Sequence, residues 1–66
     1  MTNEEAKAAF FSRLPVKAHG ITYKRISAII YRIDKDNKII ISAELLDKTE
    51  RSVTIARLQD IQEVGK

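Results

Sequence analysis

The 66-residue sequence contains no cysteine, no tryptophan, one proline, two glycines and one histidine. The absence of cysteine excludes disulfides and thiol nucleophiles. Two glycines are too few for a glycine-rich phosphate loop. No apolar run approaches the ~20 residues of a membrane span, and the opening MTNEEAKAAFF carries acids where a signal peptide has bases. We therefore expect a cytoplasmic protein without membrane association, metal or cofactor.

The chain is short, and a domain of this size buries only about 60% of its unfolded surface. Small domains usually gain stability from disulfides, a metal or a partner chain. The composition, 44% hydrophobic and 32% charged, is that of a globular protein. We therefore expect one domain over residues 1–66 that forms a homo-oligomer.

The net charge of +3 is unevenly distributed. Residues 13–38 contain seven bases and two acids, whereas the rest of the chain contains five bases and seven acids. A local excess of bases favours an anionic partner near this segment. A solvated strand surface is the simpler interpretation of the same pattern.

The first element is predicted to be a helix over about residues 3–14. Thr2 and Glu5 have capping-box spacing, and Pro15 closes the helix. From Val16 onward β-branched and aromatic residues dominate, with Gly20 at a bend. This pattern predicts a mainly β fold in which the helix precedes a small, strongly bent five-stranded antiparallel barrel over about 16–64. The predicted strands are 16–19, 21–33, 39–47, 52–56 and 61–64.

The segment DKDNK at 34–38 is of turn length and places Ile33 opposite Ile39. Regular pairing then continues to Arg25 opposite Asp47. One face of this hairpin is predicted to be interior and contains Arg25, Ser27, Ile29, Tyr31, Ile33, Ile39, Ile41, Ala43, Leu45 and Asp47. The second face mixes apolar and polar residues and contains Ile26, Ala28, Ile30, Arg32, Ile40, Ser42, Glu44 and Leu46.

The second face is too apolar to be bare, so the sequence predicts a cover for it. The N-terminal helix could supply that cover through Ala6, Phe10 and Leu14, and a second copy of the chain could supply it as well. We expect both, because a helix of about twelve residues covers only about half of a long hairpin. The predicted interface residues are Phe10, Phe11, Ile26, Ile30, Ile40 and Leu46.

No residue pattern indicates catalysis. His19 stands beside Gly20 without a recognisable nucleophile, and Asp34 to Lys38 lacks the glycine and late glutamate of a calcium loop. Bases interleaved with tyrosines are the better signal, because arginine can hold a phosphate and tyrosine can stack a base. Structural tyrosines and paired surface bases explain the same residues.

A short helix followed by five bent strands resembles the Sm-like proteins along almost the whole chain, and SH3-like barrels in general. In the Sm-like family an Asp and an Asn in the turn after the second strand, and an Arg before the last strand, line an RNA site in a ring. The resemblance implies such a role for Asp34, Asn37 and Arg57. Asp34 and Asn37 are one residue closer than in the family, and Leu58 stands where a glycine follows the arginine.

Two hypotheses follow. The first is a non-enzymatic oligomeric β-barrel that binds RNA, DNA or a nucleotide. Its predicted ligand-binding residues are Lys24, Arg25, Tyr31, Arg32, Asp34, Asn37, Arg51 and Arg57. The alternative is a protein-binding adaptor or inhibitor, such as an accessory factor of a phage or another mobile element, which docks through the apolar sheet face.

Overall fold

The computed structural model describes residues 1–64, which contain one helix and six strands. The chain is mainly β with one N-terminal helix, as the sequence predicts. Residues 65 and 66 of the predicted domain lie outside the described residues. The elements are α1 (Asn3–Ser12), β1 (Val16–Ala18), β2 (Ile21–Tyr23), β3 (Arg25–Ile33), β4 (Ile39–Leu46), β5 (Val53–Arg57), a 3-10 turn (Leu58–Asp60) and β6 (Ile61–Glu63).

The strands form two antiparallel sheets of three strands, in the orders β2-β1-β6 and β3-β4-β5. The predicted five-stranded barrel is not confirmed. The predicted strand 21–33 divides at Lys24 into β2 and β3, one in each sheet. Pairing among residues 1–64 closes no barrel, although the Lys24 amide donates to the Leu46 carbonyl at 2.8 Å where the two sheets adjoin.

Local hydrogen bonds define both ends of α1. The Thr2 hydroxyl accepts from the Glu5 amide at 3.1 Å, and the Glu5 carboxylate accepts from the Thr2 amide at 2.8 Å. The predicted capping box is thus confirmed. At the other end Arg13 adopts φ 55°, and the Leu14 amide donates to the Ala9 carbonyl at 3.0 Å. This Schellman-type ending stops the helix at Ser12, two residues before the predicted end.

A bulge in β3 sets the register of the long hairpin. Six predicted pairs are confirmed, from Ile33 with Ile39 to Ala28 with Glu44. The register then shifts by one residue at Ser27, so that Ile26 pairs with Leu45. A bulge places two residues against one and bends the strand. The predicted pairing of Arg25 with Asp47 is therefore wrong, and Arg25 lies opposite Leu46.

The helix packs on β3 and covers the side of the β3-β4-β5 sheet that carries the core, which we call the inner face. Phe10 packs against this core together with Ile29 and Ile41. The prediction that the helix covers the second face is therefore wrong. The buried residues of the core are Ala6, Ala9, Val16, Ala18, Tyr23, Ile26, Ala43, Leu45, Ala56, Leu58 and Ile61.

The inner face is buried only at the end near the bulge. Beyond the helix, Tyr31, Ile33 and Ile39 are 55%, 67% and 68% exposed. The Tyr31 hydroxyl still contacts the start of α1, where it donates to the Asn3 side-chain oxygen at 3.0 Å. The face predicted to be interior is therefore exposed next to the 34–38 turn, because α1 does not extend that far along the hairpin.

Candidate functional site

The side of the β3-β4-β5 sheet opposite α1 carries a row of apolar side chains that the helix does not cover, and we call it the outer face. Alternation along β4 and β5 places Leu46 beside Val53 and Glu44 beside Ile55 on this side. Val53 and Ile55 are 49% and 53% exposed. The outer face consists of Ala28, Ile30, Arg32, Ile40, Ser42, Glu44, Leu46, Val53, Ile55 and Arg57.

Two arginines lie on the outer face. Arg32 pairs with Ile40 across β3 and β4, and Arg57 pairs with Ser42 across β4 and β5. Both side chains are exposed. Among residues 1–64, no carboxylate lies within ion-pair distance of either guanidinium. These two predicted ligand-binding residues are thus brought to one surface, with Ile40 and Ser42 between them.

Lys24 and Arg25 are at the other end of β3 and belong to a different cluster. Lys24 forms an ion pair with Glu50, and the Arg25 guanidinium lies 3.7 Å from the same carboxylate. The hydrogen bond and the charge of Lys24 lower the pKa of Glu50 below its ordinary value. The acid therefore stays ionised and offsets the bases, so these two predicted ligand-binding residues have a partner within the chain.

Asp34 and Asn37 build the β3-β4 turn. One carboxylate oxygen of Asp34 accepts from the amides of Asp36 and Lys38 at 2.8 and 2.9 Å. Asn37 adopts φ 62°, a left-handed conformation that asparagine tolerates well. The turn thus accounts for both residues, and the Sm-like ligand role implied for them has no support from their geometry.

The β4-β5 turn repeats this design. Asp47 accepts from the amides of Thr49 and Arg51 at 3.0 and 3.2 Å, and Glu50 has φ 60°. Hydrogen bonds from Ser52 and Thr49 lower the pKa of the Asp47 carboxyl. The predicted ligand-binding Arg51 lies in this turn, away from Arg32 at the far end of β3. The eight predicted residues therefore do not form one site.

The aromatic side chains lie away from the outer face. Tyr23 is buried in the core, and Tyr31 is on the inner face. The rings of Phe10 and Phe11 meet edge to face at 5.1 Å, with Phe11 77% exposed beside the end of α1. The outer face consequently has no ring on which a base could stack.

The predicted interface residues divide between the outer face and the core, except that Phe11 is exposed on α1. Ile30, Ile40 and Leu46 are half-buried on the outer face, as predicted. Ile26 is 1% exposed, because the bulge moves it to the inner face, and Phe10 packs against the core. The prediction that Ile26 belongs to the second face is wrong. Sequence reasoning missed Val53 and Ile55, although the alternation Val53, Ile55, Arg57 marks one side of β5.

The described residues offer no catalytic arrangement. His19 is exposed in the two-residue turn between β1 and β2, where it and Gly20 both have positive φ. No group of three His, Asp or Glu side chains in residues 1–64 could hold a metal ion. A groove of about 460 Å³ between α1 and β6 is mostly apolar, and Glu5 and Glu63 are the ionisable residues in its lining.

Comparisons with protein-family models, curated proteins and solved structures find no match for this chain. The resemblance to Sm-like proteins is accordingly limited to the order of the secondary-structure elements.

The helix of residues 1–64 is ten residues long, too short to cross a membrane.

Proposed function

We propose that this chain is a non-enzymatic protein-binding module that docks on a partner through the outer face. The observation that carries the proposal is the row of half-buried and exposed branched apolar side chains on a sheet whose other side is partly covered by α1. Monomeric proteins rarely expose a large contiguous apolar patch without a binding role. A paired three-stranded sheet also holds these side chains in fixed positions, which limits the entropy lost on docking.

The expected complex is small. Strands of about eight residues spaced about 4.8 Å apart give the outer face a footprint of roughly 26 Å by 14 Å. A standard interface buries about 800 Å² on each partner. The flat area of the outer face, without the extra surface of protruding side chains, is less than half of this standard interface area. We therefore expect a transient complex, or one in which the partner also passes over an edge strand.

The hypothesis of a nucleic acid or nucleotide ligand has less support. The predicted basic ligand-binding residues are divided between the Glu50 cluster, the β4-β5 turn and the outer face, and the last of these lacks an aromatic platform. Branched aliphatic side chains contribute to protein contacts through burial, whereas a phosphate backbone gains little from them. The adaptor hypothesis accounts for both the isoleucines and the arginines.

We also propose that the two sheets form an open relative of the SH3-like architecture. The long β3-β4-β5 meander, the 3-10 turn after β5 and the central position of β1 between β2 and β6 support this relationship. Such a fold names no ligand by itself. The proposed function therefore depends on the outer face.

The test uses peptides as defined probes. The purified chain and its Ile55→Lys variant serve as targets for selection from a random-sequence peptide library, followed by affinity measurement on the enriched peptides. Ile55 is half-exposed, so lysine can extend into solvent without entering the core. We expect enriched peptides with large apolar side chains whose affinity falls at least tenfold on the variant.

Val53 and Phe11 provide the matched comparison. Val53→Lys alters the same face and should weaken binding similarly, whereas Phe11→Lys alters a more exposed apolar residue on α1 and should not. Circular dichroism on each variant verifies that the fold is retained. Enriched peptides that bind all three variants as tightly as the original chain would refute the proposed function.

A further inference from the structure

Four acidic side chains of the β3-β4-β5 sheet and its turns already have partners within the chain. Asp34 and Asp47 accept amide hydrogen bonds in their turns, and Glu50 holds Lys24. Glu44, the one acid on the outer face, accepts from the Ser27 hydroxyl at 2.8 Å. None of these carboxylates is bound to Arg32 or Arg57. The outer face therefore presents two guanidinium groups that have no carboxylate partner among residues 1–64.

The two arginines have a defined spacing. Arg32 is on β3 and Arg57 is on β5, with β4 between them. Their partners on β4, Ile40 and Ser42, are two residues apart, which gives about 12 Å between the Cα atoms of the two arginines. Ile40 lies between them, and beside Arg57 there is a groove of about 340 Å³ that is also lined by Ile39, Ile40, Ile41, Leu58 and Gln59. An apolar side chain of a partner that packed on Ile40 would have Arg32 on its β3 side and Arg57 on its β5 side.

We propose that the partner's docking segment is acidic, with carboxylates that pair with Arg32 and Arg57 on either side of an apolar anchor packed against Ile40. This inference depends on the proposed function, since it names the chemistry of the partner at the same face. Guanidinium binds carboxylate through two parallel hydrogen bonds, which fixes orientation as well as charge. Exclusion of water by the neighbouring isoleucines strengthens these contacts.

A second copy of the chain fits this surface less well. In a face-to-face pair of identical chains, the four arginines would meet only two acids, and each Glu44 already accepts from Ser27. Like charges brought together in a water-poor interface are costly. A nucleic acid would supply negative charge but would leave Ile30, Ile55 and Val53 against phosphates. An acidic segment of another protein matches both components of the face.

The experiment repeats the peptide selection with two double variants of equal charge. Arg32→Gln with Arg57→Gln removes the proposed contacts, and Lys35→Gln with Lys38→Gln removes the same charge from the β3-β4 turn. We expect Asp and Glu to be enriched near the apolar anchor of peptides selected on the unaltered chain. Their affinity should fall at least tenfold on the arginine variant and less than threefold on the lysine variant.

Salt dependence supplies an independent readout. Raising NaCl from about 0.1 M to about 1 M shortens the Debye length from about 10 Å to about 3 Å. Binding by the unaltered chain should weaken over this range, and the arginine variant should show a smaller change. Equal salt responses of the two proteins would overturn the inference.

The other outcomes separate this inference from the proposed function. Peptides that depend on Ile55 but carry no acidic enrichment would overturn the inference and leave the proposed function standing. Loss of Ile55 dependence refutes both. A single-stranded oligonucleotide bound through the arginines but not through Ile55 would overturn both in favour of an anionic ligand. A dimer in light scattering that Ile55→Lys dissociates would overturn the acidic partner in favour of a second copy.

Discussion

The inner and outer faces of the β3-β4-β5 sheet contain similar apolar residues but have different surroundings. On the inner face Ile26, Ala43 and Leu45 are fully buried in the core. On the outer face Ile30, Ile40 and Leu46 are half-buried, and Val53 and Ile55 are exposed. Hydrophobic composition is thus a poor guide to burial in this sheet. The position of one helix helps to make the first face a core and leaves the second face without a cover from α1.

Substitution on each face gives the sharpest test of this comparison. Leu45→Ala leaves a cavity in the core and should lower the free energy of unfolding by about 2–5 kcal/mol. Ile55→Ala removes a half-exposed side chain and should change it by less than about 1 kcal/mol. Urea denaturation at neutral pH measures both values. Equal losses would mean that the outer face is covered in solution.

Weakening the start of α1 should expose the inner face. Thr2→Ala removes the hydroxyl that accepts from the Glu5 amide, and the free energy of unfolding should fall by about 1 kcal/mol. Hydrogen exchange in Ile29 and Ile41 should then accelerate more than exchange in Val53 and Ile55. Uniform acceleration would contradict an effect confined to the helix-covered face.

The other end of α1 should respond in the opposite direction. Arg13 has φ 55°, which is strained for a residue with a side chain. Arg13→Gly relieves this strain and should raise the free energy of unfolding by about 0.5–1 kcal/mol, measured by thermal denaturation. Ser12→Gly, placed within the helix, is the control and should destabilise. A destabilised Arg13→Gly chain would show that the arginine side chain itself holds the helix end.

The smallest expected effect concerns pH and the turn that joins β4 to β5. Hydrogen bonds from Ser52 and Thr49 lower the pKa of Asp47 in the folded chain below its ordinary value of 3.8. A lowered folded pKa contributes stability above the unfolded pKa that is lost as pH falls through the folded pKa. The stability difference between the original chain and Asp47→Asn should therefore shrink below about pH 4. Thermal melts between neutral and acidic pH test this, and a constant difference would contradict it.

Features governed by neighbouring residues could be predicted from the sequence. The capping box of Thr2 and Glu5, the bend at Gly20 and the register from Ile33 to Ala28 depend on contacts close in the chain or on a single short turn. Once the 34–38 turn is correct, each successive pair follows from strand geometry. This is why six pairs of the hairpin are as predicted.

The candidate site was predictable only in part. Ile30, Ile40 and Leu46 were assigned to the second face because they share a side of a regular hairpin. Ile26 was assigned there wrongly, because nothing in the local pattern marks Ser27 as a bulge. Val53 and Ile55 share this face only through the pairing of β5 with β4, which the hairpin pattern does not predict. The ion pairs of Lys24 and Arg25 with Glu50 join residues that are distant in sequence.

The sequence by itself determined the helix start, the two Asp-led turns, most of the hairpin register and the mainly β character. Only the tertiary structure decided which face α1 covers, where β3 bends, and that Arg32 and Arg57 share one surface. The physical reason is that both sides of the hairpin are apolar enough to receive a helix, so alternation cannot choose between them. The bend at Ser27 and the passage of the chain into the second sheet determine which face α1 covers. The outer face is consequently left without a cover from the helix.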